Sequence, residues 1–288
     1  MTADDNLILR NASIEITPDD DRSIAIAIDS LPPLTETLIT SLPKSKLESI
    51  VATARALYRG GLVPVPHIAA RNLGSVDEFE KFLQHLVAEA NVDRALIIGG
   101  DRDKPAGPFS DSLQVLKSDL LQQHGIRKVY LSCYPEGHPR IDQARLQEAR
   151  RQKLTAAEKA GLCVCFISQF CFEAAPIVRL AQELRAEGIY APLRIGIAGP
   201  ANPVTLLKYA LLCGIGPSIR AVRERGDMAK MVAGNSVEHL LAEVAHAQKD
   251  EPNLGIDGVH FFTFGSVKKT VALIGRAREP AELKDEIN

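Results

Sequence analysis

Long apolar runs, basic blocks and nucleotide-binding glycine patterns are all missing from this 288-residue sequence. No uninterrupted apolar stretch approaches the roughly 20 residues needed to span a bilayer. The 34 basic and 36 acidic residues give a formal net charge of −2. With no long run of lysine and arginine, neither nucleic acid nor a membrane is expected as a partner. The first residues, Met1-Thr2-Ala3-Asp4-Asp5-Asn6, are acidic and lack the basic-then-apolar pattern of a secretion signal, so a cytoplasmic protein is expected. No Gly-x-Gly-x-x-Gly follows the first strand signal, no phosphate-loop Gly-Lys-Ser/Thr occurs, and no Gly-x-Ser-x-Gly elbow supports a serine nucleophile.

Cysteine is sparse and odd in number: Cys133, Cys163, Cys165, Cys171 and Cys213. All lie in apolar segments, which predicts reduced, buried thiols rather than a disulfide framework. Cys163 and Cys165 are spaced to point the same way on a strand, but no second pair completes a metal site, so none is expected.

What the sequence has is alternation. Strand-like runs are Ala12–Thr17, Thr37–Leu42, Val63–Ile68, Arg94–Gly99, Lys128–Cys133, Cys163–Ser168, Leu193–Ile197 and Gly258–Thr263. Helical periods follow from Lys46 to Arg59, after Ser75, from about Ser110, from Gln143 to Lys159, Ala174 to Glu187, from Pro203 to Cys213 and onwards through Gly226 and Gly234, and to about Arg276. The acidic, proline-flanked connection after the first strand carries no clear helical signal. Pro64 and Pro66 fit a central strand poorly. Eight strands, seven followed by helices, predict an α/β fold: a single (β/α)8 TIM barrel over residues 1–288, with tails at 1–11 and 277–288. An open doubly wound sheet is the alternative.

In such barrels ligands sit at the carboxyl ends of the strands. Those ends supply Glu15, His67, Asp101, Tyr134, His138, Gln169 and His260. Glu15 stands between Ile14 and Ile16, and apolar flanks favour the protonated form a general acid needs; alternation pointing it at solvent or a lysine is the plainer reading. Asp101 follows Gly99-Gly100, where a bare backbone can approach a flat ligand, yet it also reads as a turn or helix-capping aspartate. His67 and His260 also read as satisfied core histidines, and His239 with His246 as surface groups on one helix face.

Taken in order, these residues resemble the methylenetetrahydrofolate reductases, FAD-containing (β/α)8 barrels, from about Ser13 to Ile274. Tyr134-Pro135-Glu136-Gly137-His138-Pro139 looks like the family's flavin-contacting motif. Ile167-Ser168-Gln169-Phe170-Cys171-Phe172-Glu173 is similar to its folate-contacting segment. Pro66-His67, Gly100-Asp101 and His260-Phe261-Phe262-Thr263 match three further strand ends, and Ile14-Glu15-Ile16-Thr17-Pro18 matches the segment of the catalytic glutamate. The resemblance implies Glu15 and Asp101 as catalytic residues; His67, Gly100, Asp101, Tyr134, His138, Arg151 and Lys153, with Arg150 a further candidate, around FAD; and Glu15, Gln169 and Phe172 on a folate. NADH or NADPH would be the co-substrate, and a homo-oligomer is left open. Departures are Thr17 and Asp19 beside Pro18 after the first strand, Gly99 where the family has arginine, Phe264-Gly265-Ser266 in place of Leu-Asn-Arg, and Ala156-Ala157 where basic residues are expected. Weak flavin binding, a folate-dependent methyltransferase or demethylase partner, and a non-catalytic folate-binding subunit are the alternatives these departures raise.

Overall fold

The computed structural model describes residues 8–9, 11–215 and 235–278. Eight parallel strands close into a barrel in the order β1 (Ser13–Ile16), β2 (Glu36–Ile39), β3 (Val63–Ala69), β4 (Arg94–Ile98), β5 (Lys128–Cys133), β6 (Cys163–Cys171), β7 (Leu193–Ala198) and β8 (Ile256–Phe262). The protein is therefore a (β/α)8 barrel. By compactness the chain divides into two units. One comprises Glu15–Cys133 and Gly137–Ile167; the other comprises the described residues of Met1–Ile14, Tyr134–Glu136 and Ser168–Asn288.

In the first unit, the connection after β1 corrects the sequence expectation, because Asp21–Ser30 is a helix (α1). Asp20 caps it, its side chain accepting from Ser23 N at 3.1 Å, and Ile24 and Ala27 are buried. Three aspartates and an arginine at its start mask that short apolar stripe. Helix α2 (Leu47–Arg59) buries Ile50, Val51, Ala54 and Leu57, then stops at Gly60 and Gly61, the latter at φ 79°. Helix α3 (Val76–Ala90) starts at the Ser75 cap and buries Phe79, Phe82, Leu83 and Leu86 at helical spacing. The segment after β4 forms two short helices, α4 (Ser112–Leu116) and α5 (Leu120–Gln123), instead of one. Helix α6 spans Gln143–Lys159, as its sequence predicts.

The prolines of β3 fit because of where its ladders run. Val63 N donates to Thr35 O, and the β2 pairing covers Val63 to Pro66, whereas pairing with β4 begins only at His67↔Leu96. Residues alternate between neighbours in a parallel strand, so Pro64 and Pro66 withhold their missing N–H from the β4 side, before that ladder starts.

One face of β2–β6 packs Leu38, Val65, Leu96, Tyr130, Cys165 and Ile167 into a single cluster; in a closed barrel, alternate residues that meet across five strands face inward. At its amino-terminal end the half-buried Glu36 is surrounded. Arg94 Nη1 donates to Glu36 Oε1 at 2.5 Å, Tyr130 OH donates to Oε2 at 2.5 Å, and Lys128 Nζ lies 3.8 Å away. Hydrogen bonds to Asp93 and Glu36 hold the Arg94 guanidinium firmly protonated, above its ordinary range, against the opposing effect of burial.

In the second unit, α7 (Ala174–Ala186), α8 (Pro203–Leu212), α9 (Asn235–Asp250) and α10 (Val267–Arg278) complete the described helices. The expected positions Gly226 and Gly234 and residues 279–288 lie outside the described residues. Ile8 and Leu9, within the expected amino-terminal tail, are buried. His239 and His246 are exposed on α9, 3.6 and 3.5 Å from Glu243 and Asp250. Among the described residues no helix is long and apolar enough to cross a membrane.

Candidate functional site

Within the first unit, Glu15 leaves the carboxyl end of β1 with 19% of its side chain exposed, so it is not turned into bulk water. Its Oε2 lies 3.9 Å from His67 Nε2. His67 pairs in register with Leu96, a member of the inward-facing cluster, and therefore projects from the same face. The histidine is buried, and the two side chains reach each other across separate strand ends.

Gly100 has φ +87°, and a Cβ there would lie 3.1 Å from the Ala69 Cβ, so a side chain would meet both strain and crowding. A Cβ on Gly99 or Gly137 would meet no atom within 4 Å, leaving open space beside the backbone of the β4 and β5 loops. Asp101 is exposed rather than enclosed. It faces His138 closely enough to favour the imidazolium, but burial and the nearby Arg140 outweigh it, and His138 is held below its ordinary value of 6.5. Arg140 N also donates to His138 Nδ1 at 3.1 Å.

These loops are latched by side chains whose role the sequence did not reveal. Arg71 donates through Nε to Ser110 O and through Nη1 to Arg102 O, while Arg102 Nη2 donates to Pro43 O. Asn72 Nδ2 donates to Ser41 O, Ser41 Oγ and Leu42 O. The β2, β3 and β4 loops thus share one set of hydrogen bonds. An Arg-Asn pair directly at a strand exit was the available signal.

The basic candidates on α6 separate by direction. Arg151 is exposed and pairs with Glu148 at 3.3 Å. Arg150 is buried, and Lys153 has its ammonium pushed below the ordinary lysine range by burial, with Cys133 and Asp111 pulling the other way. Burial pushes the Cys133 thiol up to about 12 against the lowering effect of these cations, so it is an inert thiol at neutral pH. Cys163 is a correction: it is exposed at the start of β6, where the strand has not yet entered the core, while Cys165 is buried and Cys213 is half-buried. Among the described residues, no group of three or more His, Cys, Asp or Glu is placed to hold a metal ion.

Within the second unit, half-buried Gln169 accepts from Phe170 N through Oε1 at 3.0 Å. Its neighbour Ser168 is locked in place: Gly196 N donates to Ser168 Oγ at 2.8 Å, and Ser168 Oγ donates to Gln169 O at 3.0 Å. Gly196 is required, since a Cβ there would fall 2.2 Å from Ser168 O. Phe170 centres an aromatic group, with Phe172, Phe262 and Phe264 at centroid distances of 5.7, 5.3 and 5.1 Å. Tyr209 stacks on Phe264 at 4.8 Å, and Phe264 takes φ 47°, an uncommon backbone for a bulky residue. Tyr134 is half-buried at the start of its loop. His260 is buried, with Ser13 Oγ 3.0 Å from its Nδ1, in keeping with the core-histidine reading.

No family model matches the chain. Among solved structures it is similar to a protein from Clostridium thermocellum that binds two copies of 5-methyl-5,6,7,8-tetrahydrofolic acid, at 12% identity and a TM-score of 0.61, over 94% of this chain and 97% of that one. A dihydropteroate synthase from Thermus thermophilus matches at 14% identity and a TM-score of 0.46, over 92% of each chain. The HPPK-DHPS of Plasmodium falciparum matches at 12% and 0.47, over 96% of this chain and 48% of that one. At such identities the first of these likenesses supports the barrel fold alone.

Proposed function

We propose that this barrel reduces 5,10-methylenetetrahydrofolate to 5-methyltetrahydrofolate with NADH or NADPH as the reductant. The observation that carries this reading is Glu15, a carboxyl group at a strand exit, mostly enclosed and 3.9 Å from a buried histidine. It stands first in the ordered series of strand-end matches to the methylenetetrahydrofolate reductases. The 5-methyl-5,6,7,8-tetrahydrofolic acid bound by the Clostridium thermocellum protein is the product named here, which supports a folate as the ligand.

Glu15 gives its proton to the bridging nitrogen of the folate. The five-membered ring opens to an iminium cation, whose exocyclic carbon takes the hydride. Asp101 places negative charge on the β4 loop, which favours that cation. The resemblance assigns Gln169, which neighbours the Ser168–Gly196 lock, and Phe172 to the pterin.

The residues present fit FAD: the β4 and β5 loops leave room beside bare glycine backbone, and Arg150 and Lys153 are basic residues of α6, the helix that follows the β5 loop. Tyr134, His138, Gly100 and Lys153 would hold it, and bound there it supplies hydride passed on from the pyridine nucleotide. Arg151, facing solvent with Glu148, does not join that set.

A second reading, folate-dependent methyl transfer without hydride chemistry, is favoured by the outward Arg151 and by Gly99 in place of an arginine. The test is oxidation of NADH or NADPH by the purified chain with and without methylenetetrahydrofolate. Folate-dependent oxidation supports reduction; a colourless chain that moves the methyl group of 5-methyltetrahydrofolate without oxidising either nucleotide supports the second reading.

A further inference from the structure

We propose that residues 137–141, the turn after β5, form a proton-operated clasp, shut by the neutral ring of His138 and released when that ring is protonated. Two hydrogen bonds close this turn. Ile141 N donates to His138 O at 3.5 Å, longer than the usual N–H···O range. Arg140 N donates to His138 Nδ1 at 3.1 Å. The shorter bond is the one that depends on a titrating atom.

The arrangement is that of an Asx turn with an imidazole in place of the carboxamide or carboxylate. A residue before proline is confined to extended conformations, and Pro139 itself fixes φ at about −65°, so little freedom separates acceptor from donor. Nδ1 accepts only while it carries no hydrogen, which places the hydrogen of the neutral ring on Nε2. Protonation sets an N–H on Nδ1 against the Arg140 N–H, and attraction becomes repulsion between two donors. The exchange balances on one proton: water supplies it, an Nδ1–H bond forms, and the hydrogen bond from Arg140 N is lost.

The charges around the ring decide which state prevails. Burial first, and then the Arg140 guanidinium, hold His138 below its ordinary 6.5, while Asp101 on the β4 loop pulls the other way. Asp103, on the same loop, lies 3.7 Å from Arg140 Nη1, and both of those side chains are exposed. Residue 140 thus acts twice: its amide closes the clasp and its guanidinium opposes the proton that opens it. The ring is only half-buried, so protons reach it from solvent. The clasp is shut at neutral pH and opens as pH falls through the folded value, below about 6.5. Beside Gly137 the backbone borders open space, so the clasp sets the edge of the ground that a ligand of this loop would occupy.

The experiment is nitrogen-15 NMR of the full chain without folate, flavin or pyridine nucleotide, so its outcome is independent of the proposed reduction. Near neutral pH, the His138 ring is expected to show an unprotonated Nδ1 and a protonated Nε2. On acidification, hydrogen-exchange protection of the Arg140 amide, taken relative to an unstructured chain, is expected to fall about fivefold or more with the midpoint of the ring. That factor is what one hydrogen bond of ordinary net strength supplies. In His138→Asn, whose Oδ1 accepts at every pH, protection should stay flat; in His138→Leu it should be low throughout. A neutral ring with its hydrogen on Nδ1, wild-type protection that ignores the ring, or an equal fall in His138→Asn overturns the clasp.

Discussion

The two ends of the barrel's inward face are built to opposite rules. At the amino-terminal ends of β2, β4 and β5, Glu36 is bound by Arg94 and Tyr130 at 2.5 Å, with Lys128 at 3.8 Å. At the carboxyl ends, Glu15 and His67 face each other at 3.9 Å. The first carboxylate is ringed by short hydrogen bonds and a lysine, whereas the second stands at a strand exit with a longer approach to a histidine. Barrels of this class separate stability from reactivity in that way, so the same residue type carries different consequences at each end.

Substitutions at the two carboxylates break or sharpen the contrast. Glu15→Gln keeps size and shape but has no proton to give, and turnover is expected to fall about 10²–10⁴-fold while the melting temperature stays nearly unchanged; steady-state kinetics beside thermal denaturation checks both halves. Glu36→Ala strands Arg94 and Tyr130 and is expected to cost about 3–5 kcal/mol in urea unfolding. Any chain that remains folded should bind folate as before. Tyr130→Phe removes one donor to the same carboxylate and is expected to cost about 1–3 kcal/mol by the same measurement. Gly100→Ala should cost about 1–2 kcal/mol from its left-handed backbone alone, and it should also weaken any ligand that lies on the β4 loop.

The smallest effect concerns His138. Burial and Arg140 lower its folded value below the ordinary 6.5, so the unfolded chain binds the extra proton first as pH falls. The neutral ring's contribution to stability is complete above about pH 6.5 and is lost as pH drops through the lower folded value. In unfolding curves, acidification should therefore destabilise the wild type more than His138→Gln; a wild type that gains stability relative to His138→Gln toward low pH would contradict this sign.

Much of the architecture was legible because hydrophobic period is a strong local signal: β5 and α6 fall where the sequence places them. Helix α1 was not legible, since acidic residues crowd its start and only Ile24 and Ala27 mark its buried face among the apolar positions. The break into α4 and α5 also escaped, because Asp119 adopts φ 60°, a turn that no glycine announces. At the site, strand exits exposed Glu15 and His67 in the sequence, but not their mutual approach, which depends on register between strands. The direction of Arg150 and Lys153 against Arg151 depends on helix rotation, and the latch made by Arg71, Asn72 and Arg102 depends on loops distant in sequence.

The central claim is that the carboxyl ends of these strands support hydride transfer to a folate. The most direct measurement is the visible spectrum of the purified, flavin-reconstituted chain under anaerobic conditions. The account predicts a yellow protein that bleaches with NADH or NADPH and regains its colour when methylenetetrahydrofolate is added, releasing 5-methyltetrahydrofolate. A chain that takes up no flavin and oxidises neither nucleotide, or one that bleaches but never recovers with the folate, would contradict it.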